Sequence, residues 1–452
     1  MKKYDNYKDS GIEWIGEIPE HWEMWKISHS FKRIGSGTTP ESGNSLYHEN
    51  GTINWLNTGD LNEGTLNSCA KKITEKALED YSTLKTFPSG SLVMAMYGAT
   101  IGKTSIINFD TTTNQACCVF CEGEIIDVKF LQYWFIGNKE HIINLAIGGG
   151  QPNISQNILK DVRVSCPSFN EQQSIANYLD HKTTQINTLI AKKEQFITLL
   201  QEERTAVINQ AVTKGLDPKV KMKDSGIEWL GEIPDHWEVK KLKYIKSNVK
   251  NAFVDGPFGS NLKTEHFVEN GDVYVIDSGL ITSGVFHKKR EMKTITKEHF
   301  ETVERSECKQ NDIIIAKIGA NFGMSGILPK LDKPSLVSGN TLKLTVNEEI
   351  FDLKLIHLQL LNLKTNGEID LLVKGSAQPA LSMGVMSDLP FVLPNTLDEQ
   401  VTIRNYILNQ HQRIDDLLAK AQQEIELLKE YKTALISKVV TGKVDVRNKI
   451  LD

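Results

Sequence analysis

No stretch of this sequence stays apolar for the roughly 20 residues that a membrane-spanning helix needs. The opening MKKYDNYKDSG has none of the apolar core of a signal peptide, so the chain is expected in the cytoplasm. An excess of one charge is missing too: 52 Lys+Arg stand against 57 Asp+Glu, a formal net charge of −5. That balance argues against a protein that coats nucleic acid by charge alone. Cysteine is scarce, six in 452 residues. Cys118 and Cys121 have C-x-x-C spacing, but no second Cys/His pair at ligand spacing accompanies them. They sit in ACCVFC, which reads as a strand with buried thiols.

Motifs of catalysis are lacking as well. GATIGKTS at 98–105 resembles a phosphate-binding loop, which needs four residues between its first Gly and the Gly-Lys pair. Here only three separate Gly98 from Gly102, and Tyr97 stands where the first Gly belongs. The later GANFGMSG puts Met324 where the Lys would fall, so neither segment reads as a nucleotide site. No G-x-G-x-x-G follows a strand, and no H-E-x-x-H, G-x-S-x-G elbow or Asn/Asp-Pro-Pro-aromatic motif of an amino-methyltransferase is found. His21 and His236 recur at equivalent places, as do Trp14, Trp22, Trp229 and Trp237. Recurrence of that kind favours packing or capping for the histidines and packing for the tryptophans.

What is there is a sequence written twice. KDSGIEWIGEIPEHWE at 8–23 returns as KDSGIEWLGEIPDHWE at 223–238, identical at 14 of 16 positions. The match continues at a growing offset. Asn57-Thr58-Gly59 aligns with Asp277-Ser278-Gly279, LVMAMYGA at 92 with IIIAKIGA at 313, Gln151-Pro152 with Gln378-Pro379, and EQQSIANYL at 171 with EQVTIRNYI at 399. Each copy is roughly 220 residues, far longer than a solenoid repeat. Heads and tails match closely, while the interiors (about 30–150 and 245–377) share only scattered Gly, Asn and apolar positions.

Each copy closes on a long helix. Ser168 with Glu171, and Thr396 with Glu399, fit capping boxes. Apolar residues then recur at helical spacing: Ile186, Leu189, Ile190, Phe196, Ile197, Leu200, Val207, Ile208 and Ala211 in the first, with a like series from Ile414 to Val439 in the second. Gly215 and Gly442 mark plausible stops. A lone helix about 60 Å long cannot bury such a stripe; two can bury theirs on each other, and equivalent copies predict an antiparallel coiled coil with an internal pseudo-twofold. The interiors read as mixed α/β with short strands and loops rich in Gly, Asn and Thr. The expected fold is therefore α+β: two mixed α/β domains separated by two long antiparallel coiled-coil helices. The boundaries are 1–167, 168–215, 216–394 and 395–452.

The head SGIEWIGEIPEHWE, the GSGTTP and DGPFGS openings, WLNTGDL, the YGATIGK turn and GGGQPNISQNILKDVRV running into PSFNEQQSIANYLD resemble the specificity subunits of type I restriction–modification systems. SAQPALSMGVMSDLPFVLP running into EQVTIRNYI repeats the last of these. The resemblance covers essentially the whole chain. It implies that each interior is a target-recognition domain reading half of a two-part double-stranded DNA site, and that each long helix belongs to a spacer. It also implies a non-catalytic chain that docks two methyltransferase subunits, which supply S-adenosylmethionine and adenine-N6 chemistry. Two motor–nuclease subunits would bring ATP- and magnesium-dependent translocation and cleavage. No cofactor or metal is expected in this chain itself.

Loop polar groups able to pair with base edges or grip phosphates are the candidate DNA contacts. In the first copy they are Thr38, Thr39, Lys103, Asn114, Gln151 and Asn153; in the second, Ser260, Asn261, Lys263, Asn321, Asn340 and Gln378. Lys103 and Lys263 are the phosphate candidates. The alternative is a coiled-coil scaffold joining two protein-binding modules. By segment, Lys+Arg against Asp+Glu is 15 to 19 for residues 1–169, 7 to 6 for 170–222, 21 to 23 for 223–397 and 9 to 9 for 398–452. No segment is a basic patch, so much of the attraction to phosphate would have to come from partner subunits.

Overall fold

The computed structural model describes residues 2–146, 153–257, 259–373, 380–447 and 449. Two helices dominate the element order, Phe169–Lys214 with 46 residues and Leu397–Val440 with 44. The chain forms two units, residues 1–194 with 422–452 and residues 195–421, so each unit takes part of both long helices.

In unit 1 a five-stranded sheet runs Phe31–Gly35, Cys117–Gly123, Leu92–Ala95, Thr104–Ile107, Thr65–Leu66, antiparallel except for the last pair. The central run LVMA is buried on both faces. Leu92 and Met94 join one core with helix Val128–Gly137, and Val93 and Ala95 join a second beneath Leu56 and Phe87. A strand covered on both sides reads as a continuous apolar run, which is why no alternation is visible in the sequence. Unit 2 repeats the device. IIIA at Ile313–Ala316 lies in the sheet Phe253–Asp255, Thr341–Leu344, Ile313–Ala316, Ser325–Ile327, with Ile313 and Ile315 in one core and Ile314 in another.

The repeated framework residues have repeated tasks. Gln172 is fully buried and its amide bridges three backbone groups: Asp127 N–H donates to it at 2.8 Å, and it donates to the Ile125 and Pro167 carbonyls at 2.9 Å each. Gln400 does the same with Asp352 N–H at 2.9 Å and the Ile350 and Pro394 carbonyls at 3.2 and 3.0 Å. Of the expected capping boxes, the second is half made and the Ser168 hydroxyl of the first makes no such bond among the described residues. Thr396 Oγ1 accepts from Glu399 N–H at 3.4 Å, but the two glutamates turn away from the helix end. Glu171 accepts from Tyr4 at 2.8 Å and Trp22 at 3.4 Å and meets His21 at 3.0 Å. Glu399 accepts from Trp237 at 2.9 Å and meets His236 at 3.1 Å. Two otherwise orphaned indole N–H groups outcompete the solvated helix end. Trp22 and Trp237 are fully buried, whereas Trp229 is 43% exposed, which corrects the packing role expected of it.

Along the first long helix the buried and half-buried positions 186, 190, 193, 197, 200, 204, 207 and 211 alternate steps of four and three, a heptad seam. The second has 403, 407, 410, 414, 417, 421, 425, 428, 432, 435 and 439. Leu189 and Phe196, expected on the stripe, are 43% and 42% exposed because a two-position heptad seam is narrower than a general amphipathic face. Within unit 1, Asn187 meets Lys432 at 3.0 Å and Lys193 pairs with Glu424, so the helices run antiparallel there. Within unit 2, Arg204 pairs with Asp415 at 2.8 Å.

Candidate nucleic-acid interface

In unit 1, strand Phe31–Gly35 runs out into a loop that approaches the end of strand Thr112–Thr113. Gly37 lies so near that a Cβ there would sit 1.8 Å from the Thr113 carbonyl oxygen. Its N–H donates to Thr113 Oγ1 at 3.0 Å. The turn after strand Ile53–Leu56 is tied to the same place: Asn114 N–H donates to the Leu56 carbonyl at 3.2 Å, and the Asn114 amide donates to Asn57 Oδ1 at 3.2 Å. Thr39 donates to Gln115 Oε1 at 2.6 Å, and the Thr38 carbonyl accepts from Trp55 Nε1 at 3.2 Å. Three loops thus form one polar cradle holding Thr38, Thr39 and Asn114.

The 97–103 turn joins the cradle through Met96, whose N–H donates to the Ala116 carbonyl at 2.8 Å while its own carbonyl accepts from Ile154 N–H at 2.8 Å. Asn153 is exposed beside Tyr97, bridged to it backbone to backbone. Lys103 closes the turn through its carbonyl, which accepts from Ala95 N–H at 2.9 Å. Its half-exposed ammonium meets no hydrogen-bond or ion-pair partner among the described residues. Gln151 and Gln378 lie outside the described residues.

Unit 2 rebuilds this frame with different side chains. Gly256 would place a Cβ 2.1 Å from the Ser338 carbonyl oxygen. Ser338 N–H donates to the Ile276 carbonyl at 2.9 Å, the bond that Asn114 makes to Leu56. Lys317 stands where Met96 does, its N–H donating to the Asn340 carbonyl at 2.8 Å and its carbonyl accepting from Leu381 N–H at 3.1 Å. The Asn321 amide donates to the Ser278 carbonyl at 3.1 Å, and Asn340 N–H donates to Ser338 Oγ at 3.4 Å, so both asparagines belong to this cradle. Ser260, Asn261 and Lys263 have no hydrogen bond to it among the described residues. They are exposed on the next stretch, where the Asn261 carbonyl meets His299 Nε2 at 2.9 Å and the Lys263 ammonium lies 3.5 Å from Glu265.

Sequence reasoning missed Asn57, Gln115, Ser278 and Ser338, which share the cradles with the named candidates. Asn57 and Ser278 were in view as aligned motif positions; what made them cradle residues is pairing between distant strands. It also missed Lys317, hidden in an apolar run, whose ammonium is 3.2 Å from Asp255 with both side chains largely buried. Arg290, whose guanidinium donates to the Gly279 carbonyl and to Thr282 Oγ1, was missed as well. Behind the unit 1 cradle, burial pushes the Cys117 thiol up to about 12, so at neutral pH it is an uncharged packing group.

A repeated α+β unit with differing polar loops on one backbone frame defines a duplicated two-unit protein. The type I restriction modification DNA specificity domain matches residues 19–199 and again 234–427. The chain belongs to that family and carries its domain twice. It is 23% identical over 451 residues to the type I restriction enzyme MjaVIII specificity subunit of Methanocaldococcus jannaschii, covering 99% of this chain and 97% of that one. It is 28% identical over 209 residues to the EcoR124I/EcoR124II specificity subunit of Escherichia coli, 45% of this chain and 50% of that one. Among solved structures, the HsdS subunit from Thermoanaerobacter tengcongensis overlays with a TM-score of 0.59 at 11% identity, covering 94% of this chain and 98% of that one. A chain from a study of assembly and conformational transition in the type I R-M system gives 0.67 at 11% identity, covering 94% and 99%. These overlays bear out the expected α+β fold.

Proposed function

We propose that this chain selects the DNA sequence on which a type I restriction–modification complex acts, reading a bipartite, asymmetric site with one cradle per half-site. The observation that carries this reading is the pair of cradles: one set of backbone hydrogen bonds is made twice, and the side chains mounted on it differ. Phosphate contacts position a protein on DNA but only base-edge contacts and DNA shape specify sequence, so two unlike polar loop sets on a like frame suit two unlike half-sites. Thr38, Thr39, Asn114 and Asn153, with Lys103 at the turn, serve the first half-site. Asn321 and Asn340 serve the second, and the exposed Ser260, Asn261 and Lys263 flank it. Gln151 and Gln378 belong to the same proposed sets.

The long helices fix the spacing between half-sites and dock two methyltransferase subunits, with two motor–nuclease subunits completing the complex. The chain itself carries no catalysis; S-adenosylmethionine, ATP and magnesium belong to its partners. With no basic segment of its own, it grips DNA tightly only with those partners, in the cytoplasm. The test is a genome-wide map of methylated adenines in cells carrying the chain with its modification partner, against cells lacking the chain. A bipartite motif that disappears with the chain supports the reading. Methylation without sequence preference, or unchanged by the deletion, leaves the scaffold alternative standing.

A further inference from the structure

The two cradles share their backbone bonds, so each position in one has a structural counterpart in the other, and unit 1 serves as a control for unit 2. Ser36 and Asp255 are counterparts by strand register: Gly35 faces Val119 in unit 1, Asp255 faces Leu342 in unit 2, and the close-packed Gly37 and Gly256 follow directly. Met96 and Lys317 are counterparts by their backbone bonds. The run from Phe87 to the central strand matches that from Cys308, and upstream of it the units differ: Leu84 is buried in a core, whereas Arg305 is exposed. Along that run Gly90 and Asn311 share a positive φ, and their N–H groups donate to the Ile107 and Leu328 carbonyls at 2.7 and 2.9 Å.

At the two matched positions, Ser36/Asp255 and Met96/Lys317, unit 1 is neutral and unit 2 is charged. Lys317 and Asp255 pair at 3.2 Å with side chains 8% and 13% exposed, and the second Asp255 oxygen lies 3.7 Å from the Arg305 guanidinium, which is 64% exposed. The segment is pinned by Ser306 Oγ, which donates to the Asp255 carbonyl at 3.0 Å. A buried ion pair is a poor source of stability, because removing two charges from water offsets most of their attraction. Ser36 and Met96 fill the same places in unit 1 without any charge, so the fold does not require one. Charges kept where the fold tolerates neutral groups point to function.

We propose that Arg305 is a DNA contact of the second reader alone, and that Asp255, locked by Lys317, is the positioning residue that holds it. The inference rests on the DNA-reading function proposed above. A carboxylate with one oxygen committed to a buried ammonium has the other free to hold the exposed guanidinium at the root of the cradle loop. The remaining guanidinium donors face solvent, fitted to an acceptor-rich group of DNA, a guanine edge or a phosphate.

The test uses the full chain with its modification partner on defined DNA. In Arg305→Leu, which removes the guanidinium, a guanine contact predicts roughly a 5- to 150-fold loss of discrimination at one position of the second half-site. A phosphate contact predicts a uniform loss with the salt slope reduced by about 1. The first half-site is unchanged in both cases. Asp255→Ser with Lys317→Met should reproduce whichever effect Arg305→Leu shows, and adding Arg305→Leu to that pair should change nothing more, an outcome that mere destabilisation would not give. Should the buried pair variant fail to fold, Arg305→Leu decides alone, since its side chain is exposed. Arg305→Leu matching the wild type in motif, extent and salt dependence overturns the proposal. A wild-type chain that directs no sequence-specific methylation overturns instead the function on which it rests.

Discussion

Gly37 and Gly256 are small for a reason set by distance, not by flexibility: each faces the backbone of the next loop with no room for a methyl group. Gly37→Ala must therefore push the 36–39 loop off Thr113, at a cost of about 1–3 kcal/mol. The expected result is a lower melting temperature together with loss of the first half-site and retention of the second in a methylation assay. A different residue contributes to the response to acid. His357 is buried, its Nε2 3.1 Å from the Ser325 carbonyl, and burial lowers its pKa below the ordinary value of 6.5. The folded state therefore binds fewer protons than the unfolded chain, so stability rises with pH in that range. It is fully present above about 6.5 and is lost as pH falls from there through the folded value. His357→Gln should flatten this part of a melting-temperature profile between pH 7 and 5; an unchanged slope would remove His357 as the cause.

At the scale of elements, the long helices owe their stability to the seam and little to their surface ion pairs. Ile414 is 2% exposed on the second helix, and Ile414→Ala should cost about 2–5 kcal/mol. Arg204 and Asp415 are 42% and 47% exposed, so Arg204→Ala should cost under about 1 kcal/mol, less still in high salt. Chemical denaturation of the two variants checks both, and equal effects would mean that the seam is not the source of stability. The seam was legible in the sequence as a helical stripe. Its width was not, because 3.6-residue and heptad periods select overlapping residues, and only a facing helix decides between them.

For the molecule as a whole, modularity is the testable consequence of two units on one frame. Replacing residues 24–165 with the corresponding interior of another family member should change one half of the methylated motif and leave the other half and the spacer unchanged. A change in both halves would sink the assignment of one cradle to each half-site. The duplication and the mixed α/β character of the interiors were legible because a 16-residue segment repeated at 14 positions cannot arise by chance. The cradles were legible in part. Thr38, Thr39, Asn114, Asn321 and Asn340 are on them, whereas Ser260, Asn261 and Lys263 share the same turn-like composition and lie apart from the cradle bonds.

The sequence by itself determined the repeat, the family, the two long helices and the slightly acidic charge balance, since each is local or is a comparison of the chain with itself. Only the tertiary structure decided that Glu171 and Glu399 serve the tryptophans and not the helix ends, and that Asn57 faces Asn114. It also decided that Asp255 and Lys317, far apart in the chain, pair beside Arg305 and stand where Ser36 and Met96 stand in the other unit. The physical reason is strand register: a one-residue slip turns every side chain to the opposite face. Register is fixed by burial and by the close approach of Gly37 and Gly256, neither of which is written in any short stretch of sequence.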